Sequence, residues 1–149
     1  MAKSVLIIDD DPDIRELLGE FLTGQGFAVH PARDGRHALQ LLAKIEAPDV
    51  ILLDYLMPGM SGSAFLDRKR RNSRIRCIPV VVLSGWTREW TPARLDAVEV
   101  LSKPVDLDRL ATLVQRICDG SHGVHVHVRA RRGLVGGRRL EGGRIGFAR

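Results

Sequence analysis

Apolar and polar positions along this chain follow two alternating rhythms. Short unbroken apolar runs (Val5-Leu6-Ile7-Ile8, Phe27-Ala28-Val29, Val50-Ile51-Leu52-Leu53 and Ile78-Pro79-Val80-Val81-Val82-Leu83) read as strands buried on both faces, as in a parallel sheet. Val98-Glu99-Val100-Leu101 alternates and suits an edge strand. Between these runs the period changes to that of a helix. Ile14, Leu17, Leu18, Phe21 and Leu22 make one stripe, with Asp11 as N-cap and Pro12 in the first turn. Ala38, Leu41, Leu42 and Ile45 make a second stripe, opened by Asp34-Gly35 and closed by Pro48. Ser61-Gly62 opens a third helix through Phe65 and Leu66, a short one is expected near Pro92–Ala97, and Leu107, Leu110, Val114, Ile117 and Cys118 form the last. Five strands alternating with five helices imply right-handed crossovers and a doubly wound, mostly parallel α/β sheet covered on both faces.

The polar residues that follow these strands give the pattern chemical content. Asp9 and Asp10 follow the first strand, Asp54 the third, Ser84 the fourth and Lys103 the fifth. In open α/β sheets this is the edge where ligands bind. Asp54 alone would more often be a turn or helix-cap residue; the four strand ends together point to a crevice with three carboxylates, a hydroxyl and an ammonium. Crowded carboxylates need a counter-charge, and a hard divalent cation such as Mg²⁺ supplies one while leaving positions for water and phosphate oxygens. Asp54 could then attack phosphorus to give an aspartyl phosphate, with Ser84 and Lys103 binding phosphoryl oxygens.

Ile7-Ile8-Asp9-Asp10-Asp11-Pro12, Asp54-Tyr55-Leu56-Met57-Pro58-Gly59-Met60-Ser61-Gly62, Ser84-Gly85 and Lys103-Pro104 together resemble the receiver domain of two-component response regulators, over about residues 3–118. The resemblance implies a flavodoxin-like strand order of 2-1-3-4-5. It makes Asp54 the phosphoacceptor, assisted by Ser84 and Lys103. It assigns Mg²⁺ to Asp10, Asp54 and the Leu56 backbone carbonyl, with Asp9 supporting, and expects a cis Lys103–Pro104 peptide. The implied partners are a histidine kinase or histidine phosphotransfer protein upstream and a protein whose affinity is switched downstream. Receivers usually carry an aromatic residue three positions before the lysine; here it is Val100, and the segment from Ser84 to Lys103 is short, so a stunted fourth helix is expected. Trp86 and Trp90 would cover that loop or meet partners. Leu56 and Trp86 would limit water access and so lengthen the life of the phosphorylated state.

Composition changes the picture only at the carboxyl end. Of the net charge of +5, residues 120–149 contribute +6, through seven arginines and one acid, and they hold eight glycines. A receiver over 1–119 and a Gly/Arg/His-rich tail over 120–149 without fixed structure are therefore expected. Arginine-rich tails attract nucleic acid electrostatically, which supports a rival reading: a degenerate receiver acting as a binding module. A second rival, a haloacid-dehalogenase-type phosphatase, finds its Asp-x-Asp spacing in Asp9 and Asp11 but nothing else. The Arg68–Arg74 run reads as a solvated helix end. Cys77 and Cys118 have no metal or redox spacing and read as small core residues of a reducing compartment. No apolar run reaches the roughly 20 residues of a membrane helix, and a cytoplasmic location is expected.

Overall fold

The computed structural model describes residues 2–85 and 91–120. Trp86, Trp90 and the tail beyond residue 120 lie outside the described residues, and so do the expectations placed on them. Five strands, β1 (Ser4–Ile8), β2 (Ala28–Ala32), β3 (Val50–Asp54), β4 (Val80–Ser84) and β5 (Glu99–Ser102), alternate with α1 (Pro12–Gly24), α2 (Gly35–Leu42), α3 (Gly62–Arg70), α4 (Pro92–Leu95) and α5 (Leu107–Cys118). All neighbouring strands are parallel, in the order β2-β1-β3-β4-β5. This is the doubly wound order expected.

The unbroken apolar runs are explained by burial on both sides. Leu6, Ile8, Ile51, Leu53, Val80 and Val82 turn to one face, under Ala38 and Leu42 of α2, Phe65 of α3 and Leu95 of α4. Val5, Ile7, Val50, Leu52, Val81 and Leu83 turn to the other, under Leu18 and Leu22 of α1 and Leu110, Leu113 and Val114 of α5. The period-two alternation is present but hidden, because both faces are apolar. Among the described residues, no helix is long and apolar enough to cross a membrane.

Four helices start from a side-chain cap at the carboxyl edge of the sheet: Asp11, Asp34, Ser61 and Asp106 each accept a backbone N–H of the first turn. Asp11 therefore has the cap role that an acidic strand end can serve, whereas Asp54 caps no helix.

Several boundaries differ from the sequence reading. β2 begins one residue later than Phe27 and runs on through Pro31, because pairing with β1 extends it. Pro31 is tolerated because β2 is an edge strand. α2 stops at Leu42 instead of continuing to Pro48. Arg74 reaches across from the α3–β4 loop and donates to the Leu42 and Ile45 carbonyls at 2.8 and 2.9 Å, taking the place of further helical hydrogen bonds.

The basic run is accordingly more than a solvated end. Lys69 is buried, and its ammonium donates to the Arg76 carbonyl at 2.9 Å. Burial pulls its pKa down to about 8. The cysteines also depart from expectation: Cys77 is exposed in the loop before β4, and Cys118 is half-buried at the end of α5. α4 has only four residues, the stunted helix expected.

Candidate functional site

Three consecutive features of the fold bring the strand-end residues together. Pairing of β1 with β3 sets Ile8 beside Leu53, so Asp9 and Asp54 follow in register at the same edge. β4 continues that edge and ends in buried Ser84. β5 then pairs with β4, and the Lys103 backbone N–H donates to the Ser84 carbonyl at 3.0 Å. The following Lys103–Pro104 peptide is cis, as expected.

At this edge Asp9, Asp10 and Asp54 each offer a carboxylate oxygen within 4.8 Å of the others. Asp9 and Asp54 are buried, while Asp10 is exposed and forms the open side. The Lys103 ammonium lies 3.2 Å from Asp9 Oδ2 and 3.4 Å from Asp54 Oδ2. Burial first, and then the charge of Asp9, push the Asp54 carboxyl up to about 6, with Lys103 opposing them. Burial tends to lower the pKa of Lys103, but the two carboxylates outweigh it and hold it above the ordinary lysine value. Three carboxylates against one ammonium leave a local deficit of positive charge, and the ligands are all hard oxygens. The donor set of Asp9, Asp10 and Asp54 fits Mg²⁺.

Asp9 is fixed on every side. Its N–H donates to the Ala32 carbonyl, its Oδ1 accepts the Asp11 N–H at 2.9 Å, and its Oδ2 meets Lys103. Its carbonyl accepts Arg15 Nη1 at 2.7 Å. The sequence reading missed Arg15. The available signal was a cation near the start of α1, where the helix dipole disfavours one unless a specific partner compensates.

The turn after β3 completes the crevice. The Leu56 N–H donates to Asp54 Oδ1 at 3.3 Å, and the Leu56 side chain is exposed. Gly62, the first residue of α3, closes the turn by donating its N–H to the Tyr55 carbonyl at 3.0 Å. A Cβ on Gly62 would lie 2.7 Å from Tyr55 Cα and 2.8 Å from Tyr55 O. Backbone cannot rotate away as a side chain can. Gly62→Ala is therefore expected to cost roughly 1–3 kcal/mol and to displace the Tyr55–Leu56 turn beside Asp54. Urea unfolding read together with Mg²⁺ affinity checks this; a variant matching the wild type in both would show that the turn yields freely.

Comparison with known proteins agrees with the geometry. The signature of the response regulator receiver domain matches residues 5–115. The chain belongs to that family. It is 38% identical over 115 residues to the regulatory protein AtoC of Escherichia coli, covering 75% of this chain but only 24% of AtoC. It is 33% identical over 117 residues to the sporulation initiation phosphotransferase F of Bacillus subtilis, covering 78% of this chain and 94% of that protein. Among solved structures, the chemotaxis response regulator CheY4 of Vibrio cholerae superposes with a TM-score of 0.70 at 31% identity, covering 78% of this chain and 99% of that one.

Proposed function

We propose that this chain is a phosphoryl-accepting switch, charged on Asp54 by a histidine kinase or a histidine phosphotransfer protein. One observation carries the reading: the Lys103 ammonium bridges Asp9 and Asp54, at 3.2 and 3.4 Å, where three carboxylates converge. In the reaction an Asp54 carboxylate oxygen attacks the phosphorus of a phosphohistidine. The O–P bond forms as the N–P bond breaks, and the electron pair of that bond stays on the departing imidazole. Lys103, held by Asp9 and Asp54 in the resting pocket, is placed to turn to a phosphoryl oxygen once Asp54 is esterified. Ser84 sits at the adjacent strand end, within the same edge. Asp9 orients Lys103, Asp10 with Asp54 and the Leu56 carbonyl would hold Mg²⁺, and Arg15 fixes the strand end that carries them. When bound, Mg²⁺ neutralises charge on the transferring phosphoryl group.

The output is a change in affinity for a protein partner. Val100, half-buried where an aromatic residue is usual in the family, makes the relay depend on other side chains. Incubation with a phosphotransfer protein carrying phosphohistidine tests the proposal. The expected result is a hydroxylamine-labile phosphoryl group on Asp54. Label retained by the donor, or found on His30 or His37, would refute it.

A further inference from the structure

Of the chain's lysines, Lys3 and Lys44 are exposed and Lys103 serves the Asp54 pocket; Lys69 does neither. It stands in the last turn of α3, only 6% exposed, and its side chain reaches to the loop before β4, where Nζ donates to the Arg76 carbonyl at 2.9 Å. Among the described residues that is its one acceptor, against the three N–H groups of an ammonium. Burial lowers its pKa most, the charges of Asp96 and Cys77 raise it, Arg70 lowers it, and the result is about 8. Near that pH much of the population carries a neutral amine, a nucleophile in place of a cation.

The carbonyl that holds Nζ is the one that joins Arg76 to Cys77. The amine is therefore fixed within one residue of a thiol, close enough for the charge of Cys77 to act on it. The backbone around the thiol is itself held: the Ile75 and Arg76 N–H groups donate to the Asn72 carbonyl at 3.2 and 2.9 Å, and the Ile78 N–H to the Ile75 carbonyl at 3.1 Å. Cys77 is free and exposed. The pair has an outer member open to reagents in solution and an inner member held beside it. The other cysteine, Cys118, packs with the α1 and α5 layer, whereas Ile75 and Ile78, on either side of Cys77, belong to the opposite face of the sheet.

We propose that Lys69 and Cys77 form a reversible covalent cross-link when a hydroperoxide oxidises the thiol. The Cys77 thiolate attacks one peroxide oxygen, the O–O bond breaks, and a sulfenic acid results. The neutral Lys69 Nζ then attacks sulfur. The S–N bond forms as the S–O bond breaks, and the departing hydroxide leaves as water with a proton from nitrogen. Sulfur has given two electrons to the peroxide, and the product is a sulfenamide, the protein less two hydrogen atoms. An external thiol reverses the link by attacking sulfur. The cross-link removes a buried positive charge and ties the end of α3 to the segment entering β4.

The experiment treats the full-length protein with hydrogen peroxide at pH 8 and reads intact mass and a peptide map. The expected species is lighter by two hydrogen atoms, carries Lys69 and Cys77 in one linked peptide, and returns to the starting mass with dithiothreitol. Lys69→Arg should lose it and leave a Cys77 sulfenic acid that dimedone captures. Lys69→Met gives the same readout where arginine is not accommodated, and the wild-type peptide map needs neither variant. Cys118→Ala should change nothing. As pH rises through about 8, Cys77 should pass from dimedone-reactive to cross-linked, because Lys69 loses its proton there. The proposal is overturned by dimedone capture on wild-type Cys77 equal to that on Lys69→Arg, by a lighter species that persists in Lys69→Arg, or by its loss in Cys118→Ala, which would make it a disulfide.

Discussion

Asp54→Asn is expected to make the metal-free protein more stable at pH 8, by roughly 1–2 kcal/mol. Asp54 is buried beside Asp9, and its carboxyl is raised from 3.8 to about 6. Between those values the folded chain holds a proton that the unfolded chain has released. Wild-type stability therefore falls as pH rises from about 4 through about 6, and the loss is complete above that. At about 1.4 kcal/mol per unit, a shift of roughly two units sets an upper bound near 3 kcal/mol, which solvent screening through the open side of the pocket reduces. The gain should vanish near pH 4, where the wild-type carboxyl is neutral too. Adding Mg²⁺ at pH 8 should shrink it, because the cation stabilises only the wild-type carboxylate cluster. Urea unfolding in EDTA at the two pH values checks the account. Equal stability of the two proteins at pH 8 would mean that Asp54 bears no such burden.

Lys103→Met should separate two roles that the pocket combines. The substitution keeps the apolar stem and removes the ammonium shared by Asp9 and Asp54. Loss of a positioned cation from a transferring phosphoryl group costs about 10²–10³ in rate, by analogy with removing a single oxyanion donor, and phosphorylation of Asp54 should slow by that factor. Mg²⁺ should bind at least as tightly as before, because a competing positive charge a few ångströms from the carboxylates is gone. Titration calorimetry and phosphorylation time courses distinguish this from misfolding, which would weaken both. Slower phosphorylation together with weaker Mg²⁺ binding would mean that Lys103 holds the pocket together and does not act on phosphate.

The carboxyl edge was legible in the sequence because it depends on order and register alone. Once the apolar runs are taken as parallel strands, Asp9, Asp54, Ser84 and Lys103 must fall at one edge, and they do. Helix starts were legible for the same local reason, since Asp11 and Ser61 act within one turn of themselves. Contacts between distant segments were not. Arg74 meets carbonyls about thirty positions away, and neither the shortened α2 nor the anchoring role of the run could be read from a row of arginines. Lys69 looked like its neighbours but points inward. Arg15 sits six positions from Asp9, yet its hydrogen bond goes to a backbone carbonyl, which leaves no trace in residue type. Cys77, read as a core residue because it fits no metal or redox spacing, is exposed in the loop before β4, which begins only at Val80.

Whether Asp54 is a nucleophile toward phosphorus is reached directly by one measurement. Intact mass would be recorded after incubation with acetyl phosphate and Mg²⁺, for the wild type and Asp54→Asn, with a receiver of known activity in the same buffer. One added phosphoryl group on the wild type, absent from Asp54→Asn and absent without Mg²⁺, is the predicted result. An unmodified wild type beside a labelled control receiver, or a label that survives in Asp54→Asn, would contradict it.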